Sequence, residues 1–344
     1  MQLEASARVN EFYAAEKNLL VRAAAWGKCP ALADCTPEKL LAVTQPHGLE
    51  FATAVLYDRV LNHPEHRAFF QRVQARTEFI APPPTLVGII PGAFYLEHKN
   101  TGADGARVVA IVETLGCRVE RVPLESFGSL ARNAKIIADW LAQKKGERIV
   151  LISLSKGSAD LKLALGLPGA AELFANVSAW ISFSGLPQGT PLVDWLRRHR
   201  LRQWGVRLLL RLRGQRYAVI EELRRTNSAP LWGWPTLPEH LQIVHVVGFP
   251  LRQHLAHPWA HRAYERLAPL GPNDGGGFLL GDVTKLPGIV FPVWGADHYL
   301  QPGWDVTPLL RQVLAEAIFS ASDFRHASQS ANQPIKPPAS KSTA

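Results

Sequence analysis

Ser155 stands at the corner of the stretch Arg148-Ile-Val-Leu-Ile-Ser-Leu-Ser-Lys-Gly-Ser158. A continuous apolar run gives way there to small residues and then to Ala159-Asp-Leu-Lys-Leu-Ala-Leu165, which has helical spacing. Unbroken β-branched and leucine residues are the pattern of a strand buried on both faces. A serine on a tight strand-to-helix turn is held in a strained conformation with its Oγ exposed above the sheet. Small residues two positions either side, here Ser153 and Gly157, avoid the clash that bulkier neighbours would cause. These residue types at this spacing suit a nucleophile. A serine hydroxyl is weak by itself, however, and needs a base to take its proton and an acid to orient that base.

The surrounding pattern says where such partners could come from. Strands are predicted over Thr85–Pro91, Arg118–Val122, Arg148–Leu154, Val177–Ser184, Gln242–Gly248 and Ile289–Trp294. Helices are predicted between them at Gly105–Leu115, Ser129–Lys144, from Gly157, and at about Ala256–Leu267, with a closing helix from Val306 to about Ser320. The alternation implies βαβ units: an α/β fold with a mostly parallel sheet and helices on both faces. In such sheets active groups gather at the carboxyl ends of the strands.

Two later strand ends carry fitting residues. Asp274 lies in Leu270-Gly-Pro-Asn-Asp-Gly-Gly-Gly277, where an Asn-Asp-Gly context makes a tight turn that can aim a carboxylate inward, although the same triplet also serves as a plain surface turn. His298 lies in Val293-Trp-Gly-Ala-Asp-His-Tyr-Leu300, directly after the last predicted strand. Asp297 and Asp282 compete with Asp274 for the acid, but Asp297 abuts His298 and adjacent side chains diverge. Should Ser155 fail, Ser158 and Ser184 are the next hydroxyls to consider. An oxyanion hole needs two backbone N–H groups. The amide of Lys156 would supply one, with its side chain solvated. Ala93, or Phe94, in Pro91-Gly-Ala-Phe-Tyr95 would supply the other.

Ile89-Ile-Pro-Gly-Ala-Phe, Ile152-Ser-Leu-Ser-Lys-Gly-Ser, Gly271-Pro-Asn-Asp-Gly and Trp294-Gly-Ala-Asp-His together resemble the α/β-hydrolase superfamily, nearest its lipase/esterase-like members. The resemblance covers about residues 85–320. It implies a Ser–His–Asp hydrolase with Ser155 as nucleophile, His298 as base, Asp274 as acid, and Ala93 and Lys156 as oxyanion donors. It further implies a helical cap inserted between two strands, where Thr190–His240 lies. Ser153 departs from the first glycine of the family's turn, and Pro91-Gly92 stands where His-Gly is common.

The implied reaction is ester hydrolysis through an acyl-enzyme. Thioesterase or acyltransferase action on CoA or carrier-bound acyl groups, and a non-catalytic ligand-binding member of the fold, are the alternatives. The insert carries Arg197, Arg198, Arg200, Arg202, Arg207, Arg211, Arg213 and Arg216, with an apolar stripe of Leu201, Trp204, Leu208, Leu209 and Leu212 among them. Phe94, Trp195 and Trp204 are expected to contact a hydrophobic acyl ester. The arginines suit an acidic headgroup, a phosphopantetheine or CoA tail, or an anionic membrane surface. They equally suit a solvated face.

The first 84 residues read as a helical arm ending in the Ala81-Pro-Pro-Pro84 connector, serving as a lid, a docking element or additional core. Residues 85–325 form the hydrolase domain, with the cap at about 190–240. The Ser/Pro/Lys/Ala-rich tail, 326–344, is expected to be disordered. The net charge of +9 favours anionic partners, but no recognisable nucleic-acid motif accompanies it. His47, His63 and His66 lack the spacing of metal ligands, and neither a metal nor a cofactor is expected. Three cysteines (Cys29, Cys35, Cys117) fit a reducing compartment. No signal peptide is read at the start, and no apolar run approaches the roughly 20 residues of a membrane span. The expectation is a cytoplasmic protein that can sit peripherally on a membrane.

Overall fold

The computed structural model describes residues 14–76, 85–98, 101–300 and 304–316. The Pro-rich connector and the tail lie outside these. Six strands form the sheet: β1 (Thr85–Ile90), β2 (Arg118–Arg121), β3 (Arg148–Leu154), β4 (Val177–Phe183), β5 (Gln242–Phe249) and β6 (Ile289–Trp294). Their order is β2-β1-β3-β4-β5-β6, and every neighbouring pair is parallel. Strand order reverses between β1 and β3, since β1 first sends the chain outward to β2 and β3 then returns to its other side. A crevice opens above the carboxyl ends at such a reversal. Ser155 follows β3 and Ala93 follows β1, so both stand at its edge.

The predicted strands are all present, with ends within a residue of those read from the sequence. β3 shows why the apolar run is unbroken. Val150 and Ile152 face one core and Ile149 and Leu151 face the other, so both sides of the strand are covered. Helices Leu130–Gln143 and Gly157–Leu165 cover one face, contributing Ile137, Trp140, Leu161 and Leu165. Helices Pro64–Ala75 and Ala106–Thr114 and the helical segment 307–316 cover the other, contributing Phe69, Val112 and Leu310.

The N-terminal helices are core. Pro37–His47 and Leu49–Asn62 pack Leu40, Val55, Leu56 and Val60 against Val247 and Phe249 of β5 and Val290 of β6. Thr36 caps the first of them, its hydroxyl accepting from the Lys39 amide. His66 accepts from the Val290 amide through Nδ1, and burial pulls its pKa down to about 4. All three cysteines are unpaired and buried.

Between β4 and β5 the chain forms the insert: helices Leu192–Arg198, Arg200–Leu212 and Ala218–Glu221. The insert is anchored by its flanks. Val193, Leu223 and Leu231 pack on Leu130 and Ala159. Lys162, buried in helix Gly157–Leu165, donates to the Pro187 and Leu231 carbonyls, and its ammonium sits 4.5 Å from the Trp234 ring centre. Burial lowers the Lys162 pKa to about 8. The middle helix, Arg200–Leu212, buries Leu210 alone.

Candidate functional site

Ser155 has φ of 46°, the left-handed region that a non-glycine residue rarely occupies. Its amide donates to the Phe183 carbonyl and its carbonyl accepts from the Leu186 amide, so β4 and the loop after it fix the corner from both sides. Gly157 is required by the fold here. A Cβ at that position would lie 2.5 Å from the Pro91 carbonyl oxygen. Ser153 fits for a more specific reason than size. It is fully buried, and its hydroxyl accepts from the Trp180 indole N–H (2.7 Å) and bonds to Ser158 Oγ (2.8 Å). Ser158 continues to Ser182 Oγ at 2.9 Å. A glycine at 153 would leave the Trp180 N–H without its partner.

Asp274 and His298 arrive from two other loops. His298 Nδ1 lies 2.6 Å from Asp274 Oδ2, and His298 Nε2 lies 3.0 Å from Ser155 Oγ. The carboxylate can only accept, so Nδ1 carries the proton and Nε2 is the acceptor for the serine O–H. Asp274 Oδ1 accepts from the amides of Gly276, Gly277 and Phe278 at 2.8, 3.0 and 3.0 Å. The Asn-Asp-Gly-Gly-Gly segment is thus a buried loop wrapped round a carboxylate, with Asp274 only 1% exposed. Gly276 has a steric duty as well: a Cβ there would collide with the His298 imidazole. The His298 amide closes the arrangement by donating to the Asp274 carbonyl at 2.8 Å. Burial disfavours the imidazolium, but the Asp274 charge and hydrogen bond and the nearby Asp297 outweigh it. The His298 pKa is raised above the ordinary value.

The competing residues are engaged elsewhere. Asp297 accepts from the Tyr299 and Ala256 amides, and Asp282 pairs with Arg225 and Lys285. Ser158 belongs to the buried hydroxyl chain. Ser184, also at positive φ (45°), borders the same cavity as Ser155, and among the described residues its buried hydroxyl has no hydrogen-bond partner.

Of the two candidate amides after β1, Phe94 is spent: its N–H donates to the Ser126 carbonyl at 2.9 Å. Among the described residues the amides of Ala93 and Lys156 donate to no protein acceptor. Lys156 is the residue at which helix Gly157–Leu165 begins, where amides are left over by helix geometry. Its side chain departs from expectation. It is buried, not solvated, with Nζ 2.7 Å from Asp160 Oδ1. Asn133 Nδ2 adds a bond to the same carboxylate, and burial still raises the Asp160 pKa to about 6.

Ser155, His298, Ala93 and Phe94 border one cavity of about 500 Å³. Its floor is apolar: Val108, Leu154, Phe183, Leu300 and Val306. Phe94 borders the cavity, with its ring stacked on Phe127 at 4.3 Å. Trp195 and Trp204 do not line this cavity; Trp204 is 66% exposed, and Trp195 lines a separate cavity with arginines. The insert's apolar stripe points to solvent because the middle helix turns its other side, with Leu210 buried and Gln203 bonded to Tyr217, toward the protein. The aromatic wall comes instead from Trp259, Tyr299 and His257, with Trp259 and Tyr299 stacked at 5.4 Å. Sequence reading missed these three. Tyr299 was signalled only by adjacency to His298, and His257 and Trp259 by their place after β5.

A serine hydroxyl bonded to a neutral imidazole, with a buried carboxylate behind it and unspent amides beside it, can pass a proton from serine to imidazole while an oxygen anion develops. Among the described residues no group of three or more His, Cys, Asp or Glu is placed to hold a metal ion.

No protein-family model and no curated protein matches the chain. Solved structures do. A metagenomic carboxyl esterase matches with a TM-score of 0.51 at 20% identity, over 84% of this chain and 91% of its own. The mature Bacillus licheniformis lipase BlEst2 matches with a TM-score of 0.48 at 18% identity, over 68% of this chain and 92% of its own.

Proposed function

We infer that the chain is a lipase/esterase-like member of the α/β-hydrolase fold, the fold it shares with a metagenomic carboxyl esterase. We propose that it is a serine hydrolase of carboxylic esters, with Ser155 as nucleophile, His298 as general base and acid, and Asp274 as the carboxylate that orients His298. The observation that carries this reading is the continuous hydrogen-bonded path from Asp274 Oδ2 through His298 to Ser155 Oγ, opening on a cavity with an apolar floor.

In the first half-reaction Ser155 Oγ attacks the ester carbonyl while its proton passes to His298 Nε2. The amides of Ala93 and Lys156 stabilise the resulting oxyanion, and the alcohol leaves with the proton from His298. Water, deprotonated by His298, then attacks the acyl-serine, and the imidazolium gives that proton to Ser155 Oγ as the acyl–Oγ bond breaks and the acid is released. Asp274, held by three backbone amides, orients His298 and stabilises the imidazolium without taking its proton. The acyl group is assigned to the apolar floor, with Phe94 at its edge. The three unpaired cysteines suit work in a reducing compartment.

A chain-length panel of p-nitrophenyl esters and acyl thioesters, run on the wild type and on Ser155→Ala, tests the assignment. The wild type should hydrolyse the oxygen esters in preference to the thioesters, and Ser155→Ala should lose about 10⁴–10⁶ in kcat/KM. A Ser155→Ala protein that keeps the wild-type rate would remove Ser155 from the chemistry.

A further inference from the structure

Helix Arg200–Leu212 shows its apolar side to water. Leu201, Trp204, Leu208, Leu209 and Leu212 are exposed by 89, 66, 42, 47 and 77%. At about 100° per residue, Leu201, Leu208 and Leu212 share a narrow strip, with Trp204 on one flank and Leu209 on the other. Beyond Trp204 come Arg211, Arg200 and Arg207, and beyond Leu209 come Arg202 and Arg213. The helix holds no acidic residue. Leu210, on the opposite side, anchors it to the protein.

At the foot of this helix is a second cavity, of about 470 Å³, bordered by Arg198, Arg202, Arg262 and Arg266 around Trp195. The Arg202 and Arg266 guanidinium carbons sit 5.0 and 4.1 Å from Trp195 ring centres. Its one acid, Glu265, is bound by Arg252. None of the four arginines has an acidic partner among the described residues. Concentrated cationic charge without counter-charge, beside an apolar strip, matches a surface that is itself anionic at its face and apolar just beneath. Nucleic acid or free phosphate would match the arginines and leave the leucines in water.

We propose that this face docks on an anionic phospholipid bilayer, the leucine strip entering the acyl boundary and the flanking arginines meeting lipid phosphates, with one phosphate in the four-arginine cavity. In-plane amphipathic helices with basic flanks bind membranes in this way. The guanidinium fork suits phosphate oxygens, and the Trp195 ring holds two of the forks in place. The docking face adjoins the cavity beneath Ser155. Gln215, just past the helix, donates to Glu97 at 3.1 Å, in the loop that carries Phe94 and His98 to that cavity. Leu96 in the same loop and Trp259 on the cavity wall are 58% and 37% exposed. Docking therefore brings the cavity mouth toward the bilayer. The inference does not depend on Ser155 being the nucleophile.

Co-sedimentation of the full chain with vesicles tests it, using phosphatidylcholine alone and phosphatidylcholine mixed with phosphatidylglycerol. The wild type should bind the mixed vesicles at least about tenfold more tightly than the neutral ones and be released by raised salt. A Leu201→Gln, Leu208→Gln, Leu212→Gln variant should lose about tenfold or more in binding. An Arg202→Gln, Arg266→Gln variant should lose its preference for the anionic vesicles. Unchanged hydrolysis of a soluble p-nitrophenyl ester by the leucine variant would show that it is folded, and salt release of the wild type gives a reading that needs no variant. Equal binding to both vesicle types overturns the proposal. So does undiminished vesicle binding by the leucine variant, or displacement of the wild type from mixed vesicles by millimolar inorganic phosphate alone.

Discussion

The loops above β1, β3, β5 and β6 and the middle helix of the insert both depend on charged and polar groups, and they hold them in opposite ways. Around Ser155 the triad side chains and the hydroxyls of Ser153, Ser158 and Ser182 are each held by a fixed partner. Asp274 is bonded by three amides and an imidazole, and Ser153, Ser158 and Ser182 form a closed chain with Trp180. On helix Arg200–Leu212 the leucines of the apolar strip project into solvent, while Leu210 is buried and Arg202 and Arg207 lie over the Trp195 and Tyr217 rings. Bond-making needs dipoles fixed in a dry place, because water reorientation would otherwise consume the stabilisation. Recognition of a broad surface needs the reverse: exposed side chains free to settle against whatever they meet. The two regions should accordingly respond to substitution very differently.

The largest effect at the site, after loss of Ser155 itself, is expected from Asp274→Asn. The amide cannot hold the Nδ1–H tautomer of His298, and kcat on a soluble ester should fall by about 10⁴ with folding retained. Steady-state kinetics alongside a thermal melt separates the two. Gly276→Ala should cost about 10²-fold in kcat, because the added methyl displaces the imidazole from Ser155 by a fraction of an ångström or more. Hydrolysis at saturating substrate gives the measurement. An unaffected Gly276→Ala enzyme would mean that the loop is as tolerant as the exposed helix, and the contrast would fail.

The smallest effect is a displacement in pH. His298 must be neutral to accept the serine proton, so kcat/KM should fall as pH drops through the His298 pKa. That pKa is raised by Asp274 and Asp297 against the pull of burial, which puts the acid limb above the ordinary imidazole value of about 6.5. In Asp274→Asn one of the two raising charges is gone, and the acid limb of the residual activity should move to lower pH. A pH–rate profile of each protein checks both statements.

Periodicity made the sheet legible: apolar runs bounded by turns marked each strand, and their order along the chain placed Ser155, Asp274 and His298 above strand ends. Asp274 was legible only jointly, since Asn-Asp-Gly reads equally as a surface turn, and only the loop's burial and its three amides distinguish the two. The direction of the insert's apolar stripe was not legible. Helical spacing states which residues share a face, never whether that face meets the core or the solvent. The cavity wall of His257, Trp259 and Tyr299 was hidden for a related reason, because its members come from separate loops and converge only in three dimensions. The buried Lys156–Asp160 pair eluded the sequence because an i, i+4 lysine and aspartate usually describe an exposed helix face.

Covalent labelling tests the central claim most directly. The wild-type chain is incubated with a fluorophosphonate probe and the modified residue is located by peptide mass spectrometry. The probe should be found on Ser155, with labelling abolished in Ser155→Ala and strongly slowed in Asp274→Asn. Labelling of Ser155→Ala at the wild-type rate, or a label on another serine in the wild type, would contradict the assignment of Ser155 as nucleophile.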